Sequence, residues 1–152
     1  MRGHIPEAVR RRVRQAAADR CGYCLSHKRY VLGPHEIEHL IPLMSGGSDD
    51  ETNLWLACAR CNRFKGGQTE AQDPVTGASH ALYNPRFQRW RDHFRWNSGG
   101  ELIFGLTPVG RGTVEALRLN HEHVVAVCRN WIMTGWHPPR ASRGPPSSLQ
   151  CL

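Results

Sequence analysis

The chain has 152 residues, 39% of them hydrophobic, and a formal net charge of +7. That length fits one ordinary domain with a modest core, and no run approaches the ~18 consecutive apolar residues that a membrane span needs. The opening MRGHIPEAVRRRVRQ is basic but has no apolar stretch behind it, so no secretory signal is expected and a cytoplasmic location is the default.

In chain order, residues 6–19 read as a helix. Pro6 suits the first turn, Glu7 the positive helix end, and Val9, Val13, Ala16 and Ala17 form one apolar stripe. Arg10, Arg11, Arg12 and Arg14 take the other faces. Cys21-Gly22-Tyr23-Cys24 is a tight knuckle, with Gly22 easing the turn. His35 to Ile41 alternates as a short strand, with Ile37 and His39 on one face and Glu36, Glu38 and Leu40 on the other. Pro42 ends it, and residues 45–50 (SGGSDD) form a turn-rich loop. Asn53–Leu56 is a second strand, and Ala59 to Lys65 a short helix stopped by Gly66-Gly67.

Further along, Asp73–Gly77 marks a loop. Residues 84–96 combine four arginines with Phe87, Trp90, Phe94 and Trp96, which are expected to fill the core of the C-terminal half while the arginines face out. Glu101–Leu106 is a plausible strand, so a hairpin is expected there. Val109 to Met133 shows helical spacing twice, with Asn120 as the break or cap. The tail from Pro138 is rich in Pro, Ser and Gly and is expected to be disordered. The organisation expected is a basic helix in 1–20, a motif core in 21–72, an extension packed on it in 73–137, and the tail 138–152.

The six cysteines divide unevenly. In a cytosolic chain they stay reduced. Cys21, Cys24, Cys58 and Cys61 form two Cys-x-x-Cys pairs separated by 33 residues, which points to one closed tetrahedral Zn²⁺ site. Cys128, inside VVAVC, reads as a small buried hydrophobe; Cys151 carries no evident role.

Between those pairs lie EIEHLIP, then GGSDDETNLWL, then CARCN. This ordered set resembles the cysteine-bearing branch of the HNH endonuclease family. The resemblance implies an α+β fold: an N-terminal helix, a zinc-stabilised ββα-metal core, and a C-terminal hairpin and helices. It also implies a metal-dependent endonuclease that hydrolyses phosphodiester bonds of DNA, with RNA open as a substrate. His39 takes the place of the general base. Glu38, where the family usually has Asp, matches the acidic metal ligand; Asn53 matches the central asparagine, and Asn62 the final His/Asn ligand.

The residue types suit that chemistry. A hard cation such as Mg²⁺ or Mn²⁺ takes oxygen ligands, and one carboxylate (Glu38) with one amide oxygen (Asn62) is a sufficient protein share. His39, next to Glu38 on a strand, points to the opposite side, free to accept a proton from water, a task suited to imidazole. The side-chain oxygen of Asn53 is expected to accept the other ring N–H and fix the tautomer.

Charge is placed to match. Residues 1–20 carry +4, residues 21–70 carry −1 and residues 71–152 carry +4, so the cationic excess flanks the motif. Arg10, Arg11, Arg14, Lys65, Arg86 and Arg89 are the expected phosphate contacts. The competing reading is a zinc-containing module that binds nucleic acid without cleaving it. Oligomeric state is not written in the sequence.

Overall fold

The computed structural model describes residues 3–140. Its elements are α1 (Glu7–Ala16), β1 (Glu36–His39), β2 (Leu54–Ala57), α2 (Ala59–Lys65), β3 (Glu70–Gln72), β4 (Ser79–Ala81), α3 (Trp90–His93), β5 (Phe94–Trp96), β6 (Ile103–Gly105), α4 (Pro108–Ala116) and α5 (Glu122–Met133). Helices alternate with three two-stranded antiparallel sheets, an α+β arrangement. Among the described residues no helix is long and apolar enough to cross a membrane.

Pro6 is the cap of α1 rather than its first residue, in extended conformation, where its missing N–H costs the helix nothing. Val13 and Ala17 are buried as the stripe predicts, while Ala16 is exposed. The chain then reverses through Ala18 and Asp19, both left-handed with φ of 52° and 56°. The Asp19 N–H returns to the Arg14 carbonyl at 3.0 Å. That conformation is uncommon outside glycine, and here it aims Cys21 back toward the sheet.

The hairpin of β1 and β2 pairs Glu36 with Ala57, Ile37 with Leu56, Glu38 with Trp55 and His39 with Leu54. Because side chains alternate across a strand, Ile37, His39, Leu54 and Leu56 share one face. Leu54 and Leu56, fully or almost fully buried, meet Ile5, Val13 and Ala17 of the α1 side in one small core. Glu36, Glu38, Trp55 and Ala57 share the opposite face, toward α2. The hairpin is therefore a divider, with α1 behind it and α2 in front.

Gly22 is required for space rather than for turn freedom. A Cβ there would lie 2.5 Å from Trp55 Cδ1 and 2.8 Å from Pro85 Cβ, while the left-handed residue of the knuckle is Leu25, φ 62°.

The larger core gathers Cys21, Tyr23, Cys61, Tyr83, Trp90, Phe94, Ile103, Leu117 and Leu119. The hairpin expected after residue 84 is present as β5 and β6, with Arg95 opposite Phe104. Trp90 and Phe94 are buried as expected, but Phe87 is 70% exposed, so the aromatic run is only partly core. The expected loop 73–77 is the tip of a further hairpin, β3–β4. Its hub is Asp73, fully buried and held by both Nε and Nη2 of Arg111 at 2.8 Å. Asn120 does break the helical stretch, yet it is not a cap. Its amide bonds both the N–H and the carbonyl of Ile103 at 2.8 Å, and His121 caps α5. Cys128 is buried as expected. Of the tail expected to be disordered from Pro138, residues 138–140 are described and Pro139 is buried, against that expectation; the remainder, with Cys151, falls in 141–152, outside the described residues.

Candidate active site

The four motif cysteines converge. Their Sγ atoms all lie within 4.8 Å of one another, with Cys24 and Cys58 at 3.8 Å. A disulfide would need about 2.05 Å. A tetrahedron with Zn–S bonds of ~2.3 Å has edges of about 3.8 Å, so this donor set fits one zinc ion. Cys58 caps α2 and accepts from the Cys61 N–H at 3.4 Å. Hydrogen bonds from Cys21, Cys24 and Cys61 draw the Cys58 thiol well below its ordinary pKa, while burial pushes Cys21 up and the neighbouring thiols push Cys61 up. Cys21 and Cys61 are buried in the wall of the larger core, so the centre links the knuckle after α1 to the start of α2.

On the α2 face of β1, Glu38 is only 2% exposed. Its Oε1 accepts the Tyr23 hydroxyl at 2.5 Å, and Lys65 Nζ stands 3.6 Å from Oε2. That second distance is an ion pair, too long for a hydrogen bond, and Oε2 is buried with no hydrogen-bond partner. Burial raises the Glu38 carboxyl above its ordinary pKa, opposed chiefly by the Lys65 charge. A buried, negatively polarised oxygen without a donor is costly as it stands, and it is the atom a hard cation would take. Asn62, on the same face of the hairpin, donates Nδ2 to Glu36 Oε2 at 2.5 Å. That leaves its Oδ1 as the oxygen available to such a cation. Glu38 and Asn62 thus each offer an oxygen at the α2 face of the hairpin, the donor type a hard divalent ion takes.

His39 lies on the other face, half-buried at the end of β1. Its Nε2 is 2.7 Å from Asp49 Oδ1. A carboxylate only accepts, so Nε2 carries the hydrogen, and in the neutral ring the lone pair is on Nδ1. Here the expectation for Asn53 is corrected. Its Oδ1 accepts the Ile41 N–H at 2.9 Å, and its Nδ2 donates to the Ile41 and Ser48 carbonyls, both at 2.9 Å. Asn53 closes the loop rather than touching the ring, because its amide complements three backbone groups of residues 41–48. Gly47 makes that closure possible: a Cβ there would lie 1.8 Å from the Ile41 oxygen. The loop in turn carries Asp49 to His39.

Two expected phosphate contacts are also corrected. Lys65 is 3% exposed, and its ammonium is committed to Glu38 and to the His39 carbonyl at 3.1 Å. Its position on the α2 face, three residues after Asn62, turns it inward. Arg86 donates to the Leu54 carbonyl at 3.0 Å and lies over the Trp55 ring, which ties the extension to β2. Arg10 bonds the Ile5 carbonyl and Arg14 pairs with Glu7. Arg11 and Arg89 are exposed.

Asp49 and Tyr23 escaped the sequence reading. The signals were there, an acidic pair after Gly-Gly-Ser and a tyrosine inside the first knuckle, but neither names its partner.

Residues 21–68, about a third of the chain, match the family model described as HNH endonuclease. The match begins at the first cysteine of the knuckle and ends just past α2, covering every group described at this site except the flanking arginines. No curated protein and no solved structure matches the chain significantly.

Proposed function

We propose that this protein is a metal-dependent endonuclease that hydrolyses phosphodiester bonds of DNA. The observation that carries this reading is the end of β1. There a histidine oriented by Asp49 stands next in sequence to a carboxylate with an orphaned buried oxygen, within the segment that matches the HNH model. A binding module has no use for either feature.

Glu38 and Asn62 would hold one Mg²⁺ or Mn²⁺, which supplies Lewis-acid relief of charge on the phosphoryl group and the leaving oxygen. The rest falls to the protein. His39 Nδ1 takes a proton from the attacking water as general base. Asp49 keeps the ring in the tautomer that exposes Nδ1, and its charge stabilises the imidazolium once formed. Asn53 holds the loop that positions Asp49. Arg10, Arg11, Arg14 and Arg89, on elements flanking the motif, steer the polyanionic substrate, with the exposed Arg11 and Arg89 best placed for direct phosphate contact. Zinc in the four-cysteine centre is structural, since all four positions are filled by thiolate.

The test is incubation of zinc-loaded protein with supercoiled plasmid, with and without Mg²⁺, under EDTA brief enough to leave zinc in place. Cleavage that needs Mg²⁺ and stops with EDTA supports the reading. Salt-sensitive binding without cleavage in either Mg²⁺ or Mn²⁺ would return the protein to a zinc-containing binding module.

A further inference from the structure

We propose that Tyr23 is a positioning residue for the cation-binding carboxylate, so that the four-cysteine knuckle sets where Glu38 points. The inference rests on the reading of Glu38 as a metal ligand, and deepens it by joining the two metal centres through one hydroxyl.

Tyr23 is fully buried and held from several directions. It sits between Cys21 and Cys24, so a metal in the knuckle anchors its backbone from both sides. The Gly22 N–H bonds the Leu56 carbonyl at 2.9 Å, and the Tyr23 carbonyl accepts from Trp90 Nε1 at 2.8 Å. Its ring has no exposed surface and meets Tyr83 edge-on at 6.4 Å. The hydroxyl that emerges from this frame donates to Glu38 Oε1 at 2.5 Å.

That bond decides which oxygen of Glu38 remains for a cation. With Oε1 engaged, Oε2 is left 3.6 Å from Lys65 and without a hydrogen bond. Lys65 is itself held by the His39 carbonyl at 3.1 Å. Without the hydroxyl, nothing on the Tyr23 side restrains the carboxylate. A buried carboxylate beside a buried ammonium then rotates until the two form a full charge-assisted hydrogen bond, and the ligand oxygen is withdrawn. Groups that orient metal ligands typically change metal affinity by about 10–100-fold when removed.

The variant is Tyr23→Phe in the full chain, which keeps the ring and its packing. Zinc is measured by elemental analysis, and Mn²⁺ binding without DNA by electron paramagnetic resonance titration. Cleavage is followed against Mg²⁺ concentration. We expect zinc content equal to wild type, Mn²⁺ affinity about tenfold weaker or more, and a parallel rise in half-saturating Mg²⁺, with most of the maximal rate recovered at saturation. Mn²⁺ affinity within twofold of wild type, at full zinc, would overturn the role of Tyr23 while leaving Glu38 as ligand. Loss of zinc on the scale of Cys58→Ser would assign the hydroxyl to folding and would overturn it equally. Wild-type protein that binds no Mn²⁺ beyond the cysteine centre would overturn the ligand reading itself, and this inference with it.

Discussion

His39 and Asn53 were readable as residues long before their partners were. The Glu38-His39 step carries its own geometry, because adjacent strand residues face opposite sides, and oxygen ligands for a hard cation follow from residue type. What the sequence could not say is how the loop 41–53 folds back. Of the two aspartates there, Asp49 turns to His39 while Asp50 accepts the Ser48 hydroxyl at 3.0 Å, and no local pattern separates them. The distinction yields two contrasting predictions. Asp49→Ala should lower turnover roughly 10–100-fold, as loss of an orienting partner does, with the thermal midpoint nearly unchanged, since the pair lies near the surface. Asn53→Ala removes three loop-closing hydrogen bonds and should cost about 1–3 kcal/mol of stability, with activity falling alongside. Denaturation and cleavage kinetics on both variants check this. Equal stability loss in the two would erase the division of labour.

At the scale of elements, legibility followed the strength of the local signal. The helix α2 spans Ala59–Lys65 as expected, its end marked in the sequence by Gly66-Gly67; the Cys58 side chain that caps its start is seen only in the structure. The hairpin β3–β4 has no sequence signal: its strands, Glu-Ala-Gln and Ser-His-Ala, hold no bulky apolar residue, whereas β5 and β6 carry Phe94, Trp96, Ile103 and Phe104. Its stability comes from afar, through Arg111 of α4 on the buried Asp73. The contact holds the Asp73 carboxyl well below its usual range. Removing one partner of a buried pair leaves an uncompensated charge, whereas removing both does not. Arg111→Met should therefore destabilise the protein more than the double variant Arg111→Met/Asp73→Asn, read from urea midpoints. A double variant less stable than Arg111→Met alone would place the weight elsewhere in the hairpin.

For the whole molecule, the four-cysteine centre is the joint between two cores. It sits in the wall of the larger one, while the knuckle follows the helix that closes the smaller one. Cysteine spacing made this centre legible from sequence, because few other arrangements use two Cys-x-x-Cys pairs. The attachment of the extension through Arg86 and Trp90 was not, because each is a long-range contact without a local signature. Zinc held by all four thiolates would contribute directly to folding, so Cys58→Ser should lower both zinc content and thermal midpoint. Well-folded wild-type protein without zinc by elemental analysis would refute that. His39→Ala probes the chemistry proposed for the end of β1. A general base contributes roughly 10²–10⁴-fold. Zinc-loaded His39→Ala should therefore lose cleavage by that factor in saturating Mg²⁺, while Mn²⁺ affinity and DNA binding stay at wild-type levels. Wild-type turnover in that folded variant would contradict the account.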